Sequence, residues 1–171
     1  MSSALTVVGG ALAVVVLLSL SAFFSSSEIA VFSLPREWIE TQAAAGDDRA
    51  VLLKELHDNP HRLLVTLLVG NNIVNIAISS IVTVLVAQSL DPGPAVVATT
   101  ALTSVLILLF GEIVPKAFGL ANAKRWSLTV ASPVRVVELA LSPLITLFDG
   151  VTRRLNAFIP VETDIEKPYL E

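Results

Sequence analysis

The chain has no cysteine among its 171 residues. Disulfides, thiolate metal sites and thiol chemistry are thereby excluded. Charge is also scarce. Asp, Glu, Lys and Arg make up 15% of the residues and apolar types 54%, whereas a soluble domain carries about 25% charged residues. Histidine occurs twice, at His57 and His61, and the net charge of −4 offers no cationic excess for a polyanion. The mean hydropathy is +0.77. Three stretches contain no charge at all: Ser2 to Ser27 (26 residues), Leu63 to Leu90 (28) and Pro92 to Gly111 (20). At ~1.5 Å per helical residue each is long enough for a hydrocarbon core of about 30 Å. A water-soluble enzyme, a nucleic-acid binder and a disordered chain all fit this pattern poorly.

The first stretch lacks the basic flank of a secretory signal and exceeds a typical signal core, so it reads as a retained helix. It stays apolar through Ile29, Ala30, Val31, Phe32 and Leu34 until Pro35 stops it. The second span starts at Asn59-Pro60, a capping residue followed by a first-turn proline. The third follows the turn Asp91-Pro92-Gly93-Pro94 and continues to Leu120, interrupted only by Glu112 and Lys116. Arg36, Arg49, Lys54 and Arg62 lie between the first two spans; Lys116, Lys124, Arg125 and Arg135 lie at or after the end of the third. The positive-inside rule then predicts an N-terminus outside, a cytoplasmic connector and a cytoplasmic C-terminus.

The expected architecture is an all-α membrane protein with three transmembrane helices plus a re-entrant or interfacial juxtamembrane helix pair. Residues 1–125 form the three-helix domain. Its connector, 35–62, splits into two short helices at Gly46, and the second carries an apolar stripe of Val51, Leu52, Leu53 and Leu56. Residues 126–160 read as juxtamembrane helices. Arg135 and Glu138 interrupt them, and Ser132-Pro133 and Ser142-Pro143 each resemble a cap with a first-turn proline. Residues 161–171 read as an acidic linker. His57 and His61 have helical spacing but are separated by Pro60 and lack a third ligand, so they read as polar residues at a helix junction.

Polar residues within spans carry the functional information. Ser21, Ser25 and Glu28 share one face of the first helix; Asn71, Asn75 and Ser79 share one face of the second. Glu112 follows Gly111 in the third. Pro115 has no N–H for the Gly111 carbonyl four residues earlier, which places a freed oxygen beside a carboxylate. Ser25, Asn71 and Glu112 all lie about 12–14 Å in from the same end of the bundle. A hydroxyl, an amide oxygen, a carboxylate and a carbonyl at one level are hard donors suited to Mg²⁺, Ca²⁺ or Na⁺. Competing roles exist. Ser26 and Ser27 are expected to bond back to their own helix, and Asn75 and Ser79 either join the site or bond a neighbouring helix. Asn72 faces away and reads as packing. Glu28 is either functional or interfacial, and Glu112 has an i,i+4 ion pair with Lys116 as its alternative.

Three motifs, Ser21-Ala22-Phe23-Phe24-Ser25-Ser26-Ser27-Glu28, Gly70-Asn71-Asn72-Ile73-Val74-Asn75 and Gly111-Glu112-Ile113-Val114-Pro115-Lys116, sit one on each span. In order and spacing they resemble the transmembrane domain of the CorB/CorC and cyclin-M (CNNM) magnesium transporters. The resemblance implies a homodimer in the cell membrane that holds Mg²⁺ as transported ion in a cavity open to the cytoplasm. It carries the site onto Ser21, Ser25, Asn71, Gly111 and Glu112. It implies Mg²⁺ efflux by alternating access, with Na⁺ as a conceivable coupling ion. Relatives continue into an ATP-binding regulatory domain; that downstream domain is absent from these 171 residues, so nucleotide regulation is not expected of them. The alternative is a non-conducting, Mg²⁺-sensing membrane module that anchors or regulates a partner. Enzymatic activity is not expected: no histidine lies in a span and no serine has an evident base.

Overall fold

The computed structural model describes residues 2–156, and among these every regular element is helical. The acidic segment 161–171 lies outside the described residues. Helix α1 (Ser2–Phe32) is followed by the short helices α2 (Arg36–Ala44) and α3 (Asp48–His57) and by the long helix α4 (Pro60–Val86). Helix α5 (Pro92–Leu106) passes through a π-helical segment, Ile107–Ile113, into α6 (Val114–Ala121). Helix α7 (Ala123–Asn156) ends the described chain.

Helix α1 is the axis of the bundle, packed by α4, by the π segment and α6, and by α7. Phe24 and Val31 of α1, with Leu34 just beyond it, meet Leu63, Leu67, Val74 and Ile78 of α4 and Val130 and Val134 of α7 in one buried cluster. The opposite faces expose Leu12, Val16, Ile76, Val97 and Leu108. An apolar exterior of this kind is the surface expected against lipid.

The connector folds as its sequence indicates. Gly46 takes φ +88°, the only positive φ among the described residues, and this is the left-handed corner that glycine allows. Asp47 caps α3 by accepting from the Arg49 backbone N–H at 2.9 Å. Asp58 receives Lys54 at 3.0 Å and Arg36 at 2.9 Å, tying α2 to the end of α3. The Lys54 hydrogen bond, helped by the nearby cations, holds the Asp58 carboxyl below the ordinary carboxylate range. The Arg49 side chain does the same for Asp47. Within the expected stripe Leu53 and Leu56 are buried, while Val51 is exposed.

Pro115 leaves its mark one turn upstream. The Val114 N–H bonds the Leu109 carbonyl, five residues back, in place of the usual four. Pro115 can donate neither to the Phe110 carbonyl of this wide register nor to the Gly111 carbonyl of an ordinary α-helix. The widened segment carries both Gly111 and Glu112.

The C-terminal region corrects the sequence expectation. Residues 126–148 do not form two short helices; they belong to the single helix α7, which contains Pro133 and Pro143. Among the described residues, four helical segments are therefore long and apolar enough to cross a membrane: Ala4–Phe32, Pro60–Val86, Pro92–Ala121 and Ala123–Phe148. The charges read as interruptions are internally paired. Glu138, 4% exposed, accepts from Arg62 of α4 and from Arg135 at 2.7 Å. Ser142, read as a helix cap, instead accepts from Arg62 Nη2 at 2.8 Å. Neutralised charge costs a buried helix far less than isolated charge. Interior prolines are tolerated where neighbouring helices and hydroxyls compensate the backbone.

Candidate metal centre

The three spans meet around Ser21. Its hydroxyl is fully buried and lies 3.0 Å from Asn71 Oδ1 and 2.8 Å from Asn75 Oδ1. Gly111 closes the third side: a Cβ there would sit 2.7 Å from Ser21 Oγ. Gly70 serves the same approach on α4, where a Cβ would lie 2.7 Å from the Phe24 ring. Small residues in the second and third motifs thus let three backbones converge at one level.

Ser25 lies one turn along α1 on the same face. It is fully buried, and its hydroxyl has no hydrogen-bond partner. This is unusual for the helix. Ser19 bonds back to Val15 at 2.9 Å, Ser26 and Ser27 both bond back to Phe23, and Ser33 bonds back to Ala30. From Ser19 to Ser33, only Ser21 and Ser25 turn away from their own backbone. An unpartnered buried hydroxyl carries a desolvation cost of about 1–3 kcal/mol.

Glu112 follows Gly111 and is half-buried. Among the described residues no cation pairs with its carboxylate. The expected rival, Lys116, points instead to Glu28 of α1 at 3.6 Å. Of the expected site residues, Ser21 meets both Asn71 and Gly111. Ser25 is one turn away with a free hydroxyl, and Glu112 is attached through Gly111 on the widened segment. Asn75, left open by sequence, joins the cluster directly, whereas the Ser79 hydroxyl donates back to the Asn75 carbonyl one turn earlier. Asn72 is exposed, away from the cluster. No three His, Cys, Asp or Glu side chains come together among the described residues.

Two residues escaped the sequence reading. Thr99 and Thr103 of α5 are buried with unpartnered hydroxyls. Their four-residue step matches that of Ser21 and Ser25 and was the available signal.

The one-proton problem at Ser21 defines the chemistry. A single hydroxyl hydrogen faces two amide oxygens and can serve one of them. The other is satisfied by turning an amide to donate, or by a cation.

Comparison with known proteins decides the lineage. Residues 12–171 match the family model described as the cyclin M transmembrane N-terminal domain. The chain belongs to the cyclin M transmembrane family. Among its relatives, the UPF0053 inner membrane protein YfjD of Escherichia coli is 30% identical over 146 residues, covering 85% of this chain and 34% of that protein. The UPF0053 protein sll1254 of Synechocystis is 32% identical over 140 residues, covering 82% of this chain and 40% of that protein. The chloroplastic DUF21 domain-containing protein At1g55930 of Arabidopsis thaliana is 35% identical over 129 residues, covering 75% of this chain and 19% of that one. This cyclin M domain thus spans two fifths or less of the length of these relatives, all of which extend beyond it.

Proposed function

We propose that this cyclin M domain carries Mg²⁺ across the membrane, out of the cytoplasm, by alternating access in a homodimer. The observation that supports this best is the meeting of Ser21, Asn71, Asn75 and Gly111 at one level, with a free Ser25 hydroxyl and an unpaired Glu112 carboxylate alongside. Ligand roles fall to Ser21, Ser25, Asn71, the Gly111 carbonyl and Glu112, with Asn75 as an added amide oxygen. Mg²⁺ demands near-octahedral oxygen ligation at ~2.0–2.1 Å and gives up water reluctantly. Neutral oxygens replace part of its hydration, and a single carboxylate offsets part of its charge. The result is a site that binds and still releases. Release outward follows when α1 and α4 shift against the π segment. Na⁺ is a candidate coupling ion.

In this reading the Lys- and Arg-bearing ends face the cytoplasm. Helix α7, which packs on the connector helix α3 as well as on α1 and α4, braces that cytoplasmic end. No catalytic turnover is involved.

Isothermal titration of purified protein with Mg²⁺ tests the site. Glu112→Ala should weaken binding at least about tenfold, because it removes the one charged ligand. Unchanged affinity would contradict the site. A second reading is a non-conducting Mg²⁺-sensing module, favoured by the interhelical bonds that Ser21 already makes. Mg²⁺ flux in proteoliposomes that is lost in Glu112→Ala supports transport. Binding without flux supports the module.

A further inference from the structure

Three adjoining hollows run along the outer face where α1, α6 and the start of α7 meet. The innermost holds about 510 Å³ and is walled by Phe23, Phe110, Pro115, Phe118 and Trp126. Phe118 and Trp126 also wall the second, of about 330 Å³, which adds Asn122, Arg125 and Thr129. The third, of about 530 Å³, lies at the Leu34 and Leu120 ends of the spans and contains Asn122, Lys124 and Arg125. The hollows share residues in sequence, so they form one groove, apolar at its deep end and cationic at its mouth. No Asp or Glu lines any of the three.

The cations at the mouth stand apart from the others. Arg36, Arg49, Lys54, Arg62, Lys116 and Arg135 are all ion-paired. Among the described residues no carboxylate pairs with Lys124 or Arg125. Lys124 lies 5.8 Å over the Trp38 ring, and both side chains are exposed. The apolar wall is fixed rather than collapsible. Trp126 Nε1 donates to Ser26 Oγ at 3.0 Å, and the Trp126 ring meets Phe118 edge-on at 5.3 Å.

We propose that this groove binds an anionic phospholipid, with an acyl chain in the Phe110–Trp126 hollow and its phosphate at Lys124, Arg125 and Asn122. The charge pattern selects the occupant. An aqueous anion has no use for the apolar end, and a zwitterionic lipid leaves the two cations unbalanced. Basic pockets at the edge of a helix bundle are suited to anionic headgroups, each cation contributing on the order of fivefold in affinity. A lipid seated here packs against Phe110 and Pro115, which flank Glu112, so its occupancy bears on the segment that carries the candidate ligand. The binding claim does not depend on the transport reading.

The chain has two tryptophans, so Trp38→Phe leaves Trp126 as the only indole reporter. The full chain, in mixed micelles, is titrated with phosphatidylglycerol or phosphatidylcholine brominated on the acyl chain. Quenching of Trp126 by the anionic lipid should require about tenfold less lipid than quenching by the zwitterionic one. The double substitution Lys124→Gln with Arg125→Gln should bring the two lipids to parity, while Lys54→Gln, away from the groove on α3, should keep the preference. Glycerol 3-phosphate, the headgroup chemistry without chains, should not displace the lipid. Equal quenching by both lipids in the parent, a preference that survives the double substitution, or displacement by glycerol 3-phosphate would each overturn the proposal. Both replaced side chains are exposed and, among the described residues, have no carboxylate partner. An unchanged thermal unfolding profile therefore confirms that the variant reports on binding and not on folding.

Discussion

Ser21 and Ser25 occupy the same face of the same helix, and their hydroxyls do opposite things. Ser21 joins two helices, while Ser25 is buried without a partner. Removing the first strands the amide oxygen that its hydrogen serves, so Ser21→Ala should destabilise by about 1–3 kcal/mol in denaturant titration. Removing the second relieves an unmet polar group. Ser25→Ala should be neutral or stabilising by up to about 1 kcal/mol, yet should weaken Mg²⁺ binding in calorimetry. A Ser25 variant that unfolds more easily and binds normally would show the hydroxyl to be structural. Gly111→Ala pushes a methyl into Ser21 Oγ and should cost about 1–3 kcal/mol as overpacking. The two serines were legible in the sequence because helical periodicity places them on one face, and Gly111 because Pro115 four residues later cannot donate to its carbonyl. The partner of Lys116 was not legible. The i,i+4 rule sees only one helix, and the Glu28 carboxylate that wins belongs to another.

At the scale of elements, the widened Ile107–Ile113 segment is where one proline reshapes the backbone under the candidate carboxylate. Pro115→Ala supplies the missing N–H and removes the cause of the wide register. Mg²⁺ affinity should fall severalfold while the far-ultraviolet helix signal stays constant. Unchanged affinity would show that the π geometry does not position Glu112. The connector gives a pH prediction. Asp47 and Asp58 both titrate below their ordinary range when folded, so their contribution is complete above the unfolded carboxylate value and is lost as pH falls through the lower folded one. The protection factors of the α3 amides should stay high from pH 8 to 5 and fall only below about pH 4. Loss of protection near pH 6 would point to another group. The corner itself was legible, because Gly46 followed by Asp47 spells a helix stop and a helix start. Helix α7 was not, because serine-proline pairs read as caps whenever the partners are unknown. Arg62, 80 positions from Ser142, supplies the bond that makes Ser142 an interior residue.

The whole molecule is held at one end by a buried charge cluster and near its middle by the oxygen cluster. Glu138 ties α7 to α4 through Arg62. Its loss leaves a guanidinium facing a buried hole, so Glu138→Ala should cost about 3–5 kcal/mol in denaturant titration. Arg135→Ala, at the more exposed arm, should cost about 1 kcal/mol or less. Equal effects would mean that the Arg62 arm adds nothing beyond the Arg135 arm. The central proposal concerns the other cluster: that oxygens from α1, α4 and the π segment together bind a divalent ion. Anomalous scattering from crystals soaked in Mn²⁺, a hard cation of the same charge, tests this most directly. The account predicts one dominant peak bounded by Ser21, Ser25, Asn71 and Glu112, absent in Glu112→Ala. A peak elsewhere in the fold, or no peak among the three motifs at saturating Mn²⁺, would contradict it.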